Sequence, residues 1–124
     1  MEKEFVTYEQ ALALSDLGFK QQNYFAFYHK GRLSFENLFR YDSIKENPRN
    51  VDAPLKQQVF RWFRENHGWI GGIRQLSQSG NGMIIGEFRK DEDNSFMMFA
   101  ETYEQCENYC IENLIKMIKQ QDNE

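Results

Sequence analysis

The fold is decided by residues 69–101, which read WIGGIRQLSQSGNGMIIGEFRKDEDNSFMMFAE. Three runs in this stretch are rich in the β-branched and aromatic residues that favour strands, and they cover residues 69–77, 83–90 and 95–101. Glycine and asparagine at 79–82 and acidic residues at 91–94 predict a turn after each of the first two runs. Because both connections are short, the pattern predicts an antiparallel meander of three strands.

A glycine pair interrupts the first of these runs. Gly71 and Gly72 weaken a strand, and paired glycines there accompany a bulge, a bend or the close approach of another backbone. Of these three, the sequence favours a bulge.

Helices are predicted on both sides of the meander. Before it, Asp52 caps a helix with Pro54 in its first turn, and this helix reaches His67 and ends at Gly68. After it, residues 102–105 form a capping box for a last helix with an apolar stripe. The stripe consists of Tyr103, Cys106, Cys110, Leu114, Met117 and Ile118.

The N-terminal part adds one more helix. Thr7 and Gln10 have the spacing of a capping box, in which the side chain of each residue accepts a hydrogen bond from the backbone N–H of the other. The pattern predicts a helix over residues 8–17 that stops at Gly18.

A hairpin follows this helix. Residues 24–29 are dense in aromatic side chains, and residues 30–32 separate them from a short run at 33–35. Residues 36–52 show no period and predict an irregular connection. The element order is then αββαβββα, which predicts an α+β fold: a single domain over residues 1–124, with three helices packed on a mostly antiparallel five-stranded sheet. Residues 120–124 are expected to fray.

The composition is that of a folded domain that needs no metal, cofactor or disulfide. The 124 residues include 11 Phe, 6 Tyr and 2 Trp, and burial of such groups offsets the entropy that the chain loses on folding. Cys106 and Cys110 lie four residues apart in a predicted helix, where helical geometry disfavours a bridge. Both are therefore expected to be reduced thiols.

The sequence predicts a cytoplasmic protein that does not enter a membrane. No apolar run approaches the roughly 20 residues of a membrane helix, and the start, MEKEFVTYEQ, lacks the layout of a secretory signal. The net charge is −4, with six acidic and two basic side chains in residues 101–124. This acidity disfavours nucleic acid as a partner.

No catalytic residue and no metal ligand is assigned from the sequence. His29 and His67 lack a neighbouring His or Cys at ligand spacing. The sequence also lacks a glycine-rich phosphate loop, a Gly-x-Ser-x-Gly turn and a His-Glu-x-x-His motif.

The predicted second helix carries the best candidate binding surface. Gln57, Arg61 and Arg64 project from one side at spacings of four and three residues, opposite the apolar stripe that includes Trp62. The planar guanidinium group suits phosphate or carboxylate, so this side is predicted to bind an anionic or nucleotide-like partner. Phe60 lies between the two sides and would extend the surface if exposed. The alternative is an ordinary solvated helix face, paired with acidic groups of the last helix.

The aromatic strand offers a second candidate. Tyr24 and Tyr28 lie on one face of the predicted strand, and a face that is not packed on helices would present rings for stacking or for a partner subunit. Because a small aromatic-rich sheet also leaves an edge that has to be covered or paired, homo-oligomerisation is a further expectation.

Three segments carry a resemblance to a known group of proteins. APL at 53–55 with QQVFRWFRE at 57–65, TYE at 102–104 with CENYCIENLI at 106–115, and the opening FV at 5–6 with LGF at 17–19 resemble small uncharacterised proteins of phages and prophages of gut bacteria. The resemblance covers about half of the chain. It implies a genomic context, a phage or prophage in a bacterial host, rather than a mechanism.

Two hypotheses of function follow. The first is a non-enzymatic accessory protein that acts by binding, either inhibiting a host protein or sequestering a small anionic ligand such as a nucleotide, with a role in counter-defence. The alternative is a small enzyme for a phosphorylated substrate, in which Arg61 and Arg64 hold the anion and His67, Glu87 or Tyr28 transfers a proton.

Overall fold

A computed structural model describes residues 4–19, 26–29, 31–34, 51–76 and 83–122. These residues form an α+β protein with three helices and six strands, in the order αβββαβββα. The chain divides into two compact units, Met1–Gln58 and Val59–Glu124. Each holds one antiparallel three-stranded sheet. The predicted α+β class is confirmed, whereas the single five-stranded sheet is not what the described residues form.

Helix α1, Tyr8–Asp16, begins and ends as the sequence predicts. Thr7 Oγ1 accepts the Gln10 N–H at 3.2 Å, and Gln10 Oε1 accepts the Thr7 N–H at 3.0 Å, so the capping box is complete. Gly18 has a φ of +96°, which a residue with a Cβ adopts only at a cost in energy. Its conformation lets the Phe19 N–H reach back to the Leu14 carbonyl at 3.0 Å and close the helix end.

The first sheet has the strand order β2-β1-β3, with β1 at Phe27–His29, β2 at Arg32–Ser34 and β3 at Val51–Asp52. Strands β1 and β2 form the predicted hairpin. The prediction of an irregular connection over residues 36–52 is wrong at its last two residues, Val51 and Asp52, which form strand β3 and pair with β1. The remainder of that connection, 36–50, lies outside the described residues.

Helix α2, Lys56–His67, begins later than predicted because the residues before it are extended. Asp52 belongs to β3 and is not a cap. The Ala53 N–H donates to the Ala26 carbonyl, and the Pro54 carbonyl accepts the Val6 N–H, each at 3.1 Å. These bonds hold the chain in a strand-like path, and α2 starts only after it. The helix ends as predicted at Gly68, which has a φ of +75°.

The second sheet is the predicted meander, with the strand order β4-β5-β6. Its strands are β4, Ile70–Gln75; β5, Ile84–Arg89; and β6, Ser95–Ala100. The predicted turn at 91–94 is present, since Asp91 Oδ1 accepts the N–H groups of Asp93 and Asn94 at 2.9 Å. The turn predicted at 79–82 lies outside the described residues.

The predicted bulge at the glycine pair is wrong. The register of β4 against β5 runs without a break from Ile70 opposite Arg89 to Gln75 opposite Ile84. A Cβ on Gly71 would instead overlap the Glu87 carbonyl oxygen, while one on Gly72 would meet no atom within 4 Å. Close backbone approach therefore explains Gly71, whereas no contact among the described residues explains Gly72.

Helix α3, Tyr103–Asp122, covers one face of the second sheet. Its buried stripe contains Cys106, Cys110, Leu114 and Ile118 as predicted, but also Ile111 and Ile115. Tyr103 is exposed, and its hydroxyl donates to the Ile73 carbonyl at 3.1 Å, so its place in the predicted stripe is wrong. The helix continues through residues 120–122, which were expected to fray.

Candidate binding surface

The second sheet has two faces of different character. Residues opposite each other in antiparallel strands share a face, and successive residues alternate between faces. We call the face that carries Gly86 and Phe88 the inner face, and the other one the outer face. The outer face consists of Ile70, Gly72, Arg74 and Leu76; Met83, Ile85, Glu87 and Arg89; and Ser95, Met97 and Phe99.

The inner face is filled by helices α2 and α3. At one end, the Phe60 ring of α2 stacks on Phe88 with centroids 5.4 Å apart, and Phe88 stacks on Phe96 at 5.6 Å. At the other end, Gly86 leaves room for the Cys106 and Cys110 sulfur atoms. On the outer face, Ile85 of the central strand is buried, with 1% of its surface exposed, whereas the outer-face residues of β4 and β6 are exposed.

Large apolar side chains are exposed on the outer face. Seven described residues of this kind are exposed, and five of them lie there. The exposed fractions are 65% for Ile70, 55% for Met97, 52% for Phe99, 48% for Leu76 and 37% for Met83. Scattered single apolar residues on a surface need no explanation, whereas contiguous apolar patches larger than a few hundred Å² are typical of surfaces that contact another molecule.

The charges of the outer face are few. Arg74 and Glu87 form a salt bridge at 3.1 Å, so the middle of the face carries no uncompensated charge. Arg89 is exposed at one end, where it lines an open depression of about 560 Å³ together with Ile70, Ser95 and Met97. Within the part of the chain that the structure describes, Arg89 takes part in no salt bridge.

The predicted arginine surface is present on α2, although one of its guanidinium groups is engaged. Arg61 Nε donates to Glu65 Oε1 at 2.8 Å, and both side chains are exposed. This hydrogen bond holds the pKa of the Glu65 carboxyl below its usual range. Arg64 and Gln57 are exposed. An exposed ion pair between residues four apart contributes little stability, so another anion can replace the Glu65 carboxylate at Arg61 at a small cost in free energy.

The aromatic candidates have other roles. Phe60 is half-buried and packs on Phe88, so its ring does not extend the arginine surface as an exposed group would. Tyr28 is buried in the first unit, where its hydroxyl donates to the Val6 carbonyl and its ring meets Tyr8 edge-on at 5.5 Å. Tyr24 lies outside the described residues.

The groups named for the enzyme hypothesis are also engaged elsewhere. Glu87 holds Arg74 at the outer face. His67 is half-buried, with its ring 4.7 Å from that of Trp62. In the ranges that the structure describes, no group of three His, Cys, Asp or Glu side chains is placed to hold a metal ion.

The two cysteines are buried, free thiols. Burial raises the pKa of the Cys106 thiol and that of the Cys110 thiol, because the interior disfavours the thiolate. Cys106 Sγ donates to the Met98 carbonyl at 3.7 Å. Such thiols pack as small apolar groups and are poor nucleophiles.

Sequence reasoning missed the outer face, although a signal for it exists. Strand β6 reads SFMMFA and carries no charge. A strand with one solvated face alternates between apolar and polar residues, whereas β6 is apolar on both faces. Such a strand is either covered on both sides or left with an apolar surface.

In comparisons with known proteins, no family model, no curated protein and no solved structure matches the chain. Among the described helices, none has the length and apolar character needed to cross a membrane.

Proposed function

We propose that the chain is a non-enzymatic binding protein of the bacterial cytoplasm, and that it binds a host protein through the outer face of the second sheet. The observation that carries this proposal is the group of five exposed apolar side chains on that face. Covering apolar surface is favourable by about 25 cal/mol per Å². The resemblance to phage and prophage proteins supports a bacterial protein as the partner.

The charges of the outer face define the chemistry of this partner. Because Arg74 and Glu87 neutralise each other, a charged surface would gain nothing in the middle of the face and would lose its hydration there. The partner therefore presents an apolar, uncharged surface to the middle of this face. A broad sheet face with side chains on three strands fits a protein better than a small ligand, since small ligands occupy concave sites that enclose most of their surface.

The arginine surface of α2 supports a second form of the same binding hypothesis. Arg64 and Gln57 are exposed, and among the described residues Arg61 pairs with Glu65 of its own helix. An anionic ligand such as a nucleotide would bind here by displacing Glu65 from Arg61. Self-association, also expected from the sequence, concerns the edge of a sheet and not this helix.

The outer face is tested by comparing matched variants in a capture experiment. Immobilised chain is incubated with bacterial lysate, and the retained proteins are quantified for the wild type, for Ile70→Ser with Leu76→Ser, and for Tyr109→Ser. Tyr109 is exposed to 43% on α3 and serves as the control. We expect a saturably retained protein whose binding falls about tenfold in the double variant and is unchanged in the control.

Two results would refute the proposal. One is the absence of any protein retained by the wild type in a saturable manner. The other is a retained protein whose binding is the same in the double variant. Circular dichroism shows whether the variants fold, and exposed substitutions of this kind change stability by only about 0.5 kcal/mol.

A further inference from the structure

Strand β6 is an edge of the second sheet, and the hydrogen-bond pattern shows which of its peptide groups are unpaired. The Lys90 N–H donates to the Asn94 carbonyl at 2.9 Å, so this pair of residues is hydrogen-bonded. Hydrogen-bonded pairs recur at every second residue of an antiparallel ladder. Phe96, Met98 and Ala100 therefore bond to β5, whereas the peptide groups of Met97 and Phe99 point away from it.

This edge lacks the features by which proteins prevent edge pairing. Natural edge strands carry lysine, proline, a bulge or an inward-pointing charge. Ser95–Ala100 has none of these, and its register against β5 is continuous. Within the described ranges, β6 has no neighbouring strand on its outer side. An uncharged edge of six residues is a template for one more strand.

We propose that β6 pairs with β6 of a second copy of the chain, antiparallel and about a twofold axis at Met98. Two three-stranded sheets then form one continuous sheet of six strands. In this register Met97 lies opposite Phe99 of the second copy, and Ser95 lies opposite Glu101, the residue that follows β6 and whose N–H donates to Gln105 Oε1 at 3.3 Å. Met97 and Phe99 meet in hydrogen-bonded pairs, because the peptide groups of both residues point toward the edge.

The charges beside the edge favour this register over the others. Arg89 lies next to Ser95 on the same face, so the row across the dimer reads Arg89, Ser95 and then Glu101 of the second copy. Neighbouring strands are about 4.8 Å apart, so Arg89 and Glu101 of the second copy lie two strand spacings apart. The small Ser95 side chain between them leaves room for the guanidinium group to reach the carboxylate. By symmetry the ion pair forms twice. Neither Arg89 nor Glu101 has a salt-bridge partner among the described residues of one copy.

A second copy fits this edge better than a charged peptide does. The edge itself carries no charge, so two copies meet without like charges opposite each other along the strand. The acidic and basic groups at its two ends are complementary under a twofold axis. Edge pairing lies in the plane of the sheet, so it leaves the outer face open and does not depend on the proposed host partner.

The test is the oligomeric state of the full chain, measured by sedimentation equilibrium over a range of concentrations. Arg89→Glu and Glu101→Arg each replace two attractions by two repulsions, and each is expected to raise the dimer dissociation constant about tenfold. The double variant Arg89→Glu with Glu101→Arg restores the pairs with reversed polarity and returns the constant to near the wild-type value. Met97→Lys, which adds a charge to the edge, is expected to abolish the dimer.

Matched controls separate these effects from net charge. Glu92→Arg and Lys116→Glu make the same changes of charge at exposed positions in a turn and on α3, and they are expected to leave the dimer unchanged. Ile70 lies in β4 and Leu76 directly follows it, at the opposite edge of the sheet, so Ile70→Ser with Leu76→Ser reduces host-protein capture without changing the dimer. The two proposals can therefore fail separately.

The proposal is overturned if the wild type is monomeric at its highest soluble concentration, or if the dimer survives Met97→Lys. A dimer that Met97→Lys abolishes but that both single charge reversals leave unchanged overturns the register with Ser95 opposite Glu101. Failure of the double variant to recover the wild-type constant overturns the two ion pairs.

Discussion

Adding one methyl group at Gly71 and at Gly72 is expected to change stability in opposite directions. At Gly71 the new Cβ would overlap the Glu87 carbonyl oxygen, with the Phe88 Cα at 2.7 Å and the Glu87 carbonyl carbon at 2.8 Å. At Gly72 no atom lies within 4 Å of the position. The two residues are neighbours in β4, so they share the same strand and nearly the same sequence context.

The magnitudes follow from what has to move. Overpacking a core against side chains costs about 1–3 kcal/mol. At Gly71 the obstructing atoms belong to the backbone of the central strand β5, which is bonded on both sides and cannot shift alone. We therefore expect Gly71→Ala to cost about 3 kcal/mol or more. Gly72→Ala is expected to stabilise by about 0.5–1 kcal/mol, because alanine loses less backbone entropy on folding than glycine does.

Urea unfolding of the wild type and of both variants gives the two changes in the free energy of unfolding from the shifts of the midpoints, provided that the slope of the free energy against urea concentration is unchanged. The reasoning is refuted if Gly71→Ala unfolds within about 0.5 kcal/mol of the wild type, or if Gly72→Ala loses more than about 1 kcal/mol. Either result would mean that the spacing of β4 and β5 differs from the one described.

Three further predictions concern the core and the arginine surface. Gly86→Ala places a Cβ against the Cys110 sulfur and 3.1 Å from the Cys106 sulfur, so it is expected to lower the free energy of unfolding by about 1–3 kcal/mol. Adding Cys110→Ala should recover at least half of this loss in urea unfolding. If the losses of the two single variants simply add in the double variant, the contact is contradicted. Burial raises the pKa of both thiols, so the unfolded chain releases these protons first. Above about pH 8.5 the free energy of unfolding should therefore fall as the pH rises, by about 1.4 kcal/mol per pH unit for the strongly shifted Cys110. The same slope in Cys106→Ala with Cys110→Ala would disprove this origin. A nucleotide bound at the arginine surface should raise the melting temperature of the wild type but not that of the double variant Arg61→Ala, Arg64→Ala. The double variant Lys116→Ala, Lys119→Ala is the control and should respond as the wild type does. If no nucleotide tested shifts the melting temperature of the wild type, nucleotides are excluded as ligands.

Local signals allowed the helix ends to be predicted. Thr7 and Gln10 close the capping box through bonds between residues three apart, and Gly18 ends the same helix within one turn. Asp91 and Asn94 form the tight turn before β6 in the same local way. Each of these features depends on atoms that are neighbours in sequence, so residue type and spacing are sufficient to predict them.

Features that depend on distant pairing could not be predicted in this way. Val51 and Asp52 have no strand pattern of their own, and they are extended because β1 pairs with them. Asp52 and Pro54 have the form of a helix start, but bonds from Val6 and to Ala26 hold this stretch extended. The division into two sheets is non-local for the same reason, since hairpin patterns predict strand neighbours but not which sheet a hairpin joins.

The candidate site shows the same division between local and non-local information. Spacing on one helix predicted that Gln57, Arg61 and Arg64 project from α2, and all three are exposed. It could not predict that Phe60 stacks on Phe88, because that contact requires the placement of β5. The outer face was missed because alternation separates the two faces of a strand without showing which one a helix covers.

Folding alone does not explain the apolar side chains of the outer face, and this distinguishes them from the arginine surface. Ile70, Met97 and Phe99 are more than half exposed, so polar residues with similar strand preference would preserve the fold and reduce the risk of aggregation. Arg61 and Glu65, by contrast, are what any solvated helix face contains, and their mutual ion pair is sufficient reason for both. The proposed contact with another molecule would account for an apolar surface on a sheet whose other face is packed by helices. For that reason the outer face and the β6 edge, rather than the arginines, carry the functional proposals.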